Sequence, residues 1–368
     1  MDLDRDQQTP SETVEESAAP QGLQRRGMLT GAIAGSAAAL LAGVARQARA
    51  ASTAFPEHPR WKFVFVNHVT TNPFFVPTQY GIADACALLG CTYQWTGSQT
   101  SDAAQMVNSM NAAIAGKADA IAACLVDPKA FDGPTDRALA AGIPVFAYNA
   151  DVPLGSSNKR LAYIGQDLYQ AGYQMGLRIA DEVGSGKVAL FIATPGQLNI
   201  QPRFDGAKAA IAKSGKDITI EEIASGPTVN EEISKVKAYY LGHQDVKGMY
   251  AVDGGTTLGV AETMAQYGLV AKGVHGGGFD LLPKTLELIS QGQMDFTIDQ
   301  QPYLQGFYTV LEMFLFKASG GLVGPADINT GLKFINKDGV KPYLATKTRY
   351  EGNSGQQQIV TSSGPISG

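Results

Sequence analysis

The chain has 368 residues, with 29 Lys and Arg against 34 Asp and Glu and a formal net charge of −5. Its length suggests two domains, and its mildly acidic balance reads as a soluble protein. No basic run points to nucleic acid, and no apolar run beyond the amino-terminal segment is long enough to span a membrane.

Residues 1–24 are polar and without periodicity. Arg25 and Arg26 then precede Gly27, Met28 and Leu29, and an uncharged Ala/Gly/Leu-rich stretch runs from Gly27 to Ala45. Ala48-Arg49-Ala50 closes it with a small-x-small cleavage pattern. Residues 1–50 are thus expected to be an export signal of the twin-arginine type, cleaved near Ala50, which implies a periplasmic protein. The stretch is too weakly hydrophobic for a permanent span, and no cysteine follows it to carry a lipid.

The first expected strand, 63–69, enters a polar turn from Asn67 to Asn72. Pro73 breaks the strand, Phe74 and Phe75 follow, and a helix is expected over 76–89. In an open α/β sheet, ligands sit beyond the carboxyl ends of the strands, so a ligand is expected at this turn. Two adjacent aromatics there serve either as core plugs or as a platform for the apolar face of a sugar ring or polyol. Strands are next expected over 91–95, 119–125 and 143–149, with helices over 101–116 and 129–141. In the helix over 101–116, Ala103, Met106, Val107, Met110, Ala113 and Ile114 recur at helical spacing, and Ser101 and Asp102 suit its cap. Gly90, Gly116 and Gly142 are each expected to close a helix in the left-handed conformation.

After a loop at 151–160 the alternation restarts. Strands are expected over 161–165, 187–193, 217–223, 248–252, 273–279 and 295–299, with helices over 167–183, 202–213, 230–241, 256–267, 282–291 and 303–319. Strict alternation implies α/β architecture, with two doubly wound parallel sheets and right-handed crossovers. The Gly/Ser/Gln-rich tail, 351–368, is expected to be disordered.

Cys86, Cys91 and Cys124 read as buried thiols, with a Cys86–Cys91 disulfide left open. No CxxC occurs, and His58, His68, His243 and His275 lack metal-ligand spacing, so neither metal nor cofactor is expected. GSGK at 184–187 lacks the remainder of a phosphate loop and precedes a strand, so it reads as a helix stop. HGGGF at 275–279 resembles an esterase oxyanion loop, but no G-x-S-x-G elbow accompanies it, which argues against a hydrolase. What remains is polar residues at strand carboxyl ends: His68, Asn72, Asn149, Asp151, Asp253, Asp280, Asp299 and Gln300, with Arg203 at a helix start. Carboxylates, amides and one Arg beside aromatics make a hydroxyl-recognition set, because each hydroxyl both donates and accepts.

NPFF (72–75), AGIPVFAYN (141–149), the GFD of 278–280 and TIDQQP (297–302) carry a resemblance. Over about residues 60–335 the chain resembles the type I periplasmic binding proteins of sugar ABC transporters, ribose-binding-like branch. The resemblance implies two lobes joined by a hinge crossed three times, near Gly165, Gln300 and Thr330. The amino-terminal lobe would comprise 51–165 plus 301–330, and the carboxy-terminal lobe 166–300 plus 331–350. It implies ligand contacts from Asn72, Phe74, Phe75, Arg203 and Asp280, with Gln300 at the hinge. The chain departs from the pattern where an Asp-Arg pair becomes Asn149-Ala150 and where an Asn becomes Asp253. With His68 and Asp151 these residues form the expected ligand site. The implied function is capture of a neutral monosaccharide or sugar alcohol, the departures favouring a polyol or atypical sugar, by a monomer that is read by a membrane permease. A chemoreceptor is a further partner the family allows. A repressor of the same fold would need an amino-terminal helix-turn-helix where this chain has its leader.

Overall fold

The structure, a computed structural model, describes residues 56–322 and 324–344. The expected leader and the expected disordered tail lie outside the described residues. Six strands form the first sheet: β1 (Lys62–Asn67), β2 (Thr92–Gly97), β3 (Ala120–Ala123), β4 (Val145–Tyr148), β5 (Tyr163–Gly165) and β11 (Asp327–Asn329). Their order is β2-β1-β3-β4-β5-β11, parallel throughout. The second sheet contains β6 (Gly186–Ile192), β7 (Ile218–Ala224), β8 (Gly248–Ala251), β9 (His275–Phe279), β10 (Phe296–Asp299) and β12 (Lys333–Asn336). Its order is β7-β6-β8-β9-β10-β12, with β12 antiparallel to β10. The central strands β3, β4 and β8 are buried along their whole length, as their nearly continuous apolar runs require of strands covered on both faces.

The backbone passes between the sheets after β5, after β10, and between β11 and β12. A buried amide network ties these passages together. Gln305 Nε2 reaches Gln300 Oε1 at 3.0 Å and Thr330 Oγ1 at 3.3 Å. Thr330 N–H donates to Gly165 O at 2.9 Å, and Gln166 Nε2 donates to Gly331 O at 2.9 Å. Each passage thereby has a partner for polar groups that would otherwise be buried unsatisfied.

The helices begin and end where local chemistry directs. For α1 (Val76–Leu89), Gly90 is the stop, at φ 64°. The Asp102 carboxylate caps α2 (Ala103–Ala115) through the N–H groups of Ala104 and Gln105. Gly116 departs from expectation: it follows α2 at φ −76°, and Lys117 takes the positive φ of 51°. Helix α3 (Asp132–Ala140) leads to Gly142, whose φ is 75°. Gly184, of the GSGK segment, closes α4 (Leu168–Val183) at φ 71°. Short strands β11 and β12 were not expected from sequence. The three cysteines are buried free thiols.

Helix α4 packs against α5 (Gln201–Lys213) at backbone contact. A Cβ at Gly172 would lie 1.9 Å from Arg203 O, and one at Gly206 would lie 2.2 Å from Tyr169 O. Only hydrogen fits there, so these glycines set the position of the first turn of α5. Changing Gly172 to Ala should therefore force the helices apart and cost about 1–3 kcal/mol, lowering the Tm by several degrees. Thermal and urea unfolding check this, and an unchanged Tm would mean the helices are not held at that distance.

Candidate functional site

A cavity of about 580 Å³, including the part open at its mouth, lies between the carboxyl ends of the two sheets. From the first lobe, β1 delivers His68 and the turn after it delivers Asn72, Phe74 and Phe75. Asn72 Oδ1 accepts from Phe74 N at 2.9 Å, which fixes a one-turn 3₁₀ helix at Pro73–Phe75 and aims both rings. Phe75 is buried edge-on to His68, with centroids 5.2 Å apart, while half-buried Phe74 crosses it at 4.7 Å. The pair is thus core plug and cavity wall together. Asn149 follows β4 at φ 62° and donates to Gln305 Oε1 at 3.1 Å.

From the second lobe come Arg203, Asp253, Asp280 and Gln300. Arg203 lies in the first turn of α5 and is 2% exposed. Its Nη1 donates to Val252 O at 3.1 Å, its Nη2 to Gln166 Oε1 at 2.9 Å, and its guanidinium stacks 4.2 Å from the Phe279 ring centroid. Asp253 caps α7 (Gly254–Tyr267) through Thr256 N at 2.9 Å. Asp280, at φ 75°, accepts from Gln300 Nε2 at 2.6 Å.

Of the residues expected in the site, all but Asp151 and Asp299 line this cavity. Asp151 instead accepts from Arg160 Nε at 2.8 Å and from its Nη2, an ion pair within the 151–160 loop. That pairing satisfies both charges and removes Asp151 from the ligand set. Asp299 is likewise occupied, by Gln301 N at 2.8 Å and Tyr343 OH at 3.3 Å. The segment HGGGF is buried strand β9 rather than a loop.

Sequence reasoning missed Asn199 and Glu232, which also line the cavity. Asn199 lies in the loop after β6, a strand end like the others. Glu232 lies in the first turn of α6 (Val229–Gly242), directly after the capping box of Thr228 and Glu231, where an acid reads as an ordinary solvated helix start.

The lobes meet over the mouth. Ser101 Oγ donates to Gln197 Oε1 at 2.6 Å, Gln197 Nε2 to Ser101 O at 2.9 Å, and Leu198 N to Val126 O at 2.9 Å. Asn199 Nδ2 donates to His68 Nε2 at 3.2 Å, which leaves the imidazole proton on Nδ1. Behind this closure, His68 Nδ1, Asn199 Oδ1, Arg203 Nε, Glu232 Oε2 and Asp253 Oδ2 are buried and without a hydrogen-bond partner among the described residues. Donors and acceptors are both represented. Such groups are costly to leave bare, so a ligand that pairs with them is strongly favoured.

Burial sets the protonation states. It lowers His68 to about 3, with the Arg203 charge adding to the effect, so the ring is neutral. It raises Asp280 to about 6 against the opposing pull of Arg203. It lifts Glu232 to about 10, reinforced by Asp253. Elsewhere, Glu182, His275 and Asp295 approach one another, but Arg178 Nε already binds Glu182 at 2.7 Å and Gly276 N–H takes Asp295.

With this geometry the class is defined. Residues 63–315 match the family model described as periplasmic binding protein domain, and the chain belongs to that family. The "Xylose/arabinose-binding protein XylF" of Sulfolobus acidocaldarius is 53% identical over 311 residues, covering 81% of this chain and 76% of that one. Among solved structures, an ABC transporter solute-binding protein from Burkholderia graminis in complex with D-arabinose is 26% identical. It aligns with a TM-score of 0.71, over 78% of this chain and 99% of that one. Another, from Agrobacterium vitis and bound with α-D-tagatopyranose, is 26% identical with a TM-score of 0.69, over 76% and 96% of the two chains.

The His68 state has a measurable consequence. Its folded value of about 3 lies below the ordinary 6.5, so the unfolded chain takes the proton first. Stability from this group is complete above the ordinary value and is lost as pH falls toward the folded one, by about 1.4 kcal/mol per pH unit. Asp280, raised by burial, works in the opposite direction over part of that range. Comparison with His68→Gln isolates the histidine: near pH 4 the wild type should have lost on the order of 3 kcal/mol relative to the variant. Urea unfolding across pH checks this, and parallel stability curves would show that His68 is not buried in neutral form.

Proposed function

We propose that the protein captures one neutral pentose of the xylose or arabinose type in the cleft and presents the closed, loaded form to an ABC-transporter permease. The observation that carries this reading is the set of unpartnered buried donors and acceptors behind the interlobe contacts, beside the Phe74 and Phe75 rings. Ring faces cover the apolar side of a sugar, while amide, carboxyl, imidazole and guanidinium groups take its hydroxyls. The 53% identical relative is named for xylose and arabinose, which supports the pentose. Against an anionic ligand, the sole guanidinium among the described lining residues is already engaged by Val252 and Gln166 and faces Asp253 and Asp280. Replacement of an Asp-Arg pair by Asn149-Ala150 supports a sugar alcohol as the second reading, since Asn149 can donate and accept for a flexible diol.

The lobe boundaries proposed are 51–165 plus 301–330 and 166–300 plus 331–350, hinged where the amide network joins the three passages. Export through a twin-arginine leader cleaved near Ala50, periplasmic residence and a monomeric state complete the proposal. The site acts by binding rather than by turnover.

Calorimetry against xylose, arabinose, ribose, galactose, tetritols, pentitols, inositol and a sugar acid tests the reading. Xylose or arabinose should bind most tightly, and at about 1,000 times the dissociation constant should stabilise the fold by about 4 kcal/mol. Tight binding of the sugar acid alone would overturn the neutral ligand, and binding of polyols alone would replace the pentose with the second reading. Arg203→Ala should weaken binding of the preferred ligand by about 2–4 kcal/mol, as expected for losing a buried charged hydrogen-bond partner. Less than a threefold loss would remove Arg203 from the ligand contacts.

A further inference from the structure

Three carboxyl groups surround the first turn of α7. Asp253 caps it. Asp280 Oδ2 packs against Gly254, where a Cβ would stand 2.9 Å away, and Glu232 Oε2 packs against Gly255, where a Cβ would stand 1.7 Å away. Glu232 is 6% exposed, and its Oε2 and Asp253 Oδ2 are both buried and unpartnered among the described residues. Neighbouring carboxyls in a desolvated site cannot all ionise, and the arrangement is stable when one keeps a proton. The surroundings select which one. Helix amino termini favour negative charge at Asp253, the cap of α7, and at Glu232, in the first turn of α6, so they do not decide; the Arg203 charge does, since it acts on both Asp253 and Asp280. The charged groups acting on Glu232 are Asp253, at the head of α7, and Glu231, on its own helix, both acids. His68 faces the cavity from the other lobe as a neutral ring.

We propose that Glu232 is a specificity-determining residue, held as a neutral carboxyl that donates to one ligand oxygen while Asp253 Oδ2 accepts from a neighbouring ligand hydroxyl. The proposal rests on the sugar reading above. A fixed donor next to a fixed acceptor suits adjacent hydroxyls, each of which can play either part. It also makes affinity depend on a proton held by the protein: ionised Glu232 would present a second acceptor and add repulsion from Asp253. Gly255 is part of the device, because a side chain there would displace the Glu232 carboxyl from the position it occupies.

Side-chain carboxyl ¹³C shifts of the full-length, sugar-free protein read the proton directly, with Glu232→Gln assigning the resonance. Glu232 should remain protonated through neutral pH, and an ionised Glu232 there would overturn the proposal. Calorimetry with D-xylose and D-arabinose then reads the site. Wild-type affinity should fall about tenfold per pH unit above the Glu232 midpoint, and Glu232→Gln should lose that alkaline fall. At neutral pH, heats in two buffers of different ionisation enthalpy should agree, showing no net proton release. A flat alkaline profile, or release of about one proton per bound sugar at neutral pH, would identify a carboxylate acceptor and overturn the proposal. Gly255→Ala should both lower the Glu232 midpoint and weaken sugar binding. If Glu232 titrates above neutrality and no sugar binds, the sugar reading falls instead.

Discussion

The buried guanidinium of Arg203 is the constraint to which both the site and the hinge answer. A charge in this position needs partners, because desolvating it without them costs far more than the fold can spare. It finds one at Val252 O, beyond the end of β8, and another at Gln166, just beyond the first passage between lobes. Gln166 in turn donates to Gly331 O in the third passage. The side chain is therefore a strut between the floor of the cavity and the hinge. Its Nε remains for a ligand, so a group bound there acts on atoms that also hold the crossing strands. The close glycine contact between α4 and α5 is what allows the strut to reach, since Gly172 brings α4 against the backbone of Arg203 itself.

Closure over the cavity depends on weaker interactions. The contacts between lobes at the mouth use hydroxyl, amide and imidazole groups: Ser101 with Gln197, Asn199 with His68, and one backbone bond from Leu198 to Val126. Neutral hydrogen bonds of this kind contribute about 0.5–1.5 kcal/mol each, because water replaces them when the lobes part. They bring the lobes into register without locking them. A ligand that pairs with groups from both sides supplies the differential affinity that moves the population to the closed form. Asn199 links the two roles, since its amide touches His68 while its own Oδ1 is left bare in the cavity wall.

The regular elements were legible in the sequence because their signals are periodic or chemical: buried strands as apolar runs, helix ends as Asp102, Gly90 and Gly184. The site was legible to the extent that it lies at strand ends, which is why His68, Asn149, Asp253, Asp280 and Gln300 converge. Strands β11 and β12 were not, because three or four residues such as DIN and KFIN carry no period and pair only after the lobes are built. Asp151 misled because strand-end position does not reveal a local partner, and Arg160 stands nine residues on in the same loop. Glu232 was hidden by the capping box beside it. What makes it a pocket residue is distant in sequence, Gly255, which leaves space for its carboxyl. Gly116 was misread for a similar reason: the chain turned at the next residue, where Lys117 accepts the left-handed conformation.

The glycine run that resembles a catalytic loop turns out to explain how so many acids come to share one end of the second sheet. In β9, a Cβ at Gly276 would lie 2.1 Å from Met264 Sδ, one at Gly277 2.5 Å from the Phe296 ring, and one at Gly278 2.1 Å from Thr257 Oγ1. Met264 and Thr257 belong to α7, so the missing side chains let that helix settle directly on the strand. Thr257 Oγ1 donates to Asp253 O at 2.6 Å and accepts from Phe279 N at 2.9 Å, which fastens the head of α7 to the end of β9. Asp253 begins the helix and Asp280 ends the strand, so this close packing is what sets the two carboxylates side by side. A strand with ordinary side chains at those positions would push α7 outward and separate them. The run HGGGF thus acts through volume rather than through chemistry of its own: the absent side chains of Gly276 and Gly278 let α7 approach and define the spacing of the acids at the cavity floor, while that of Gly277 makes room for the Phe296 ring of β10.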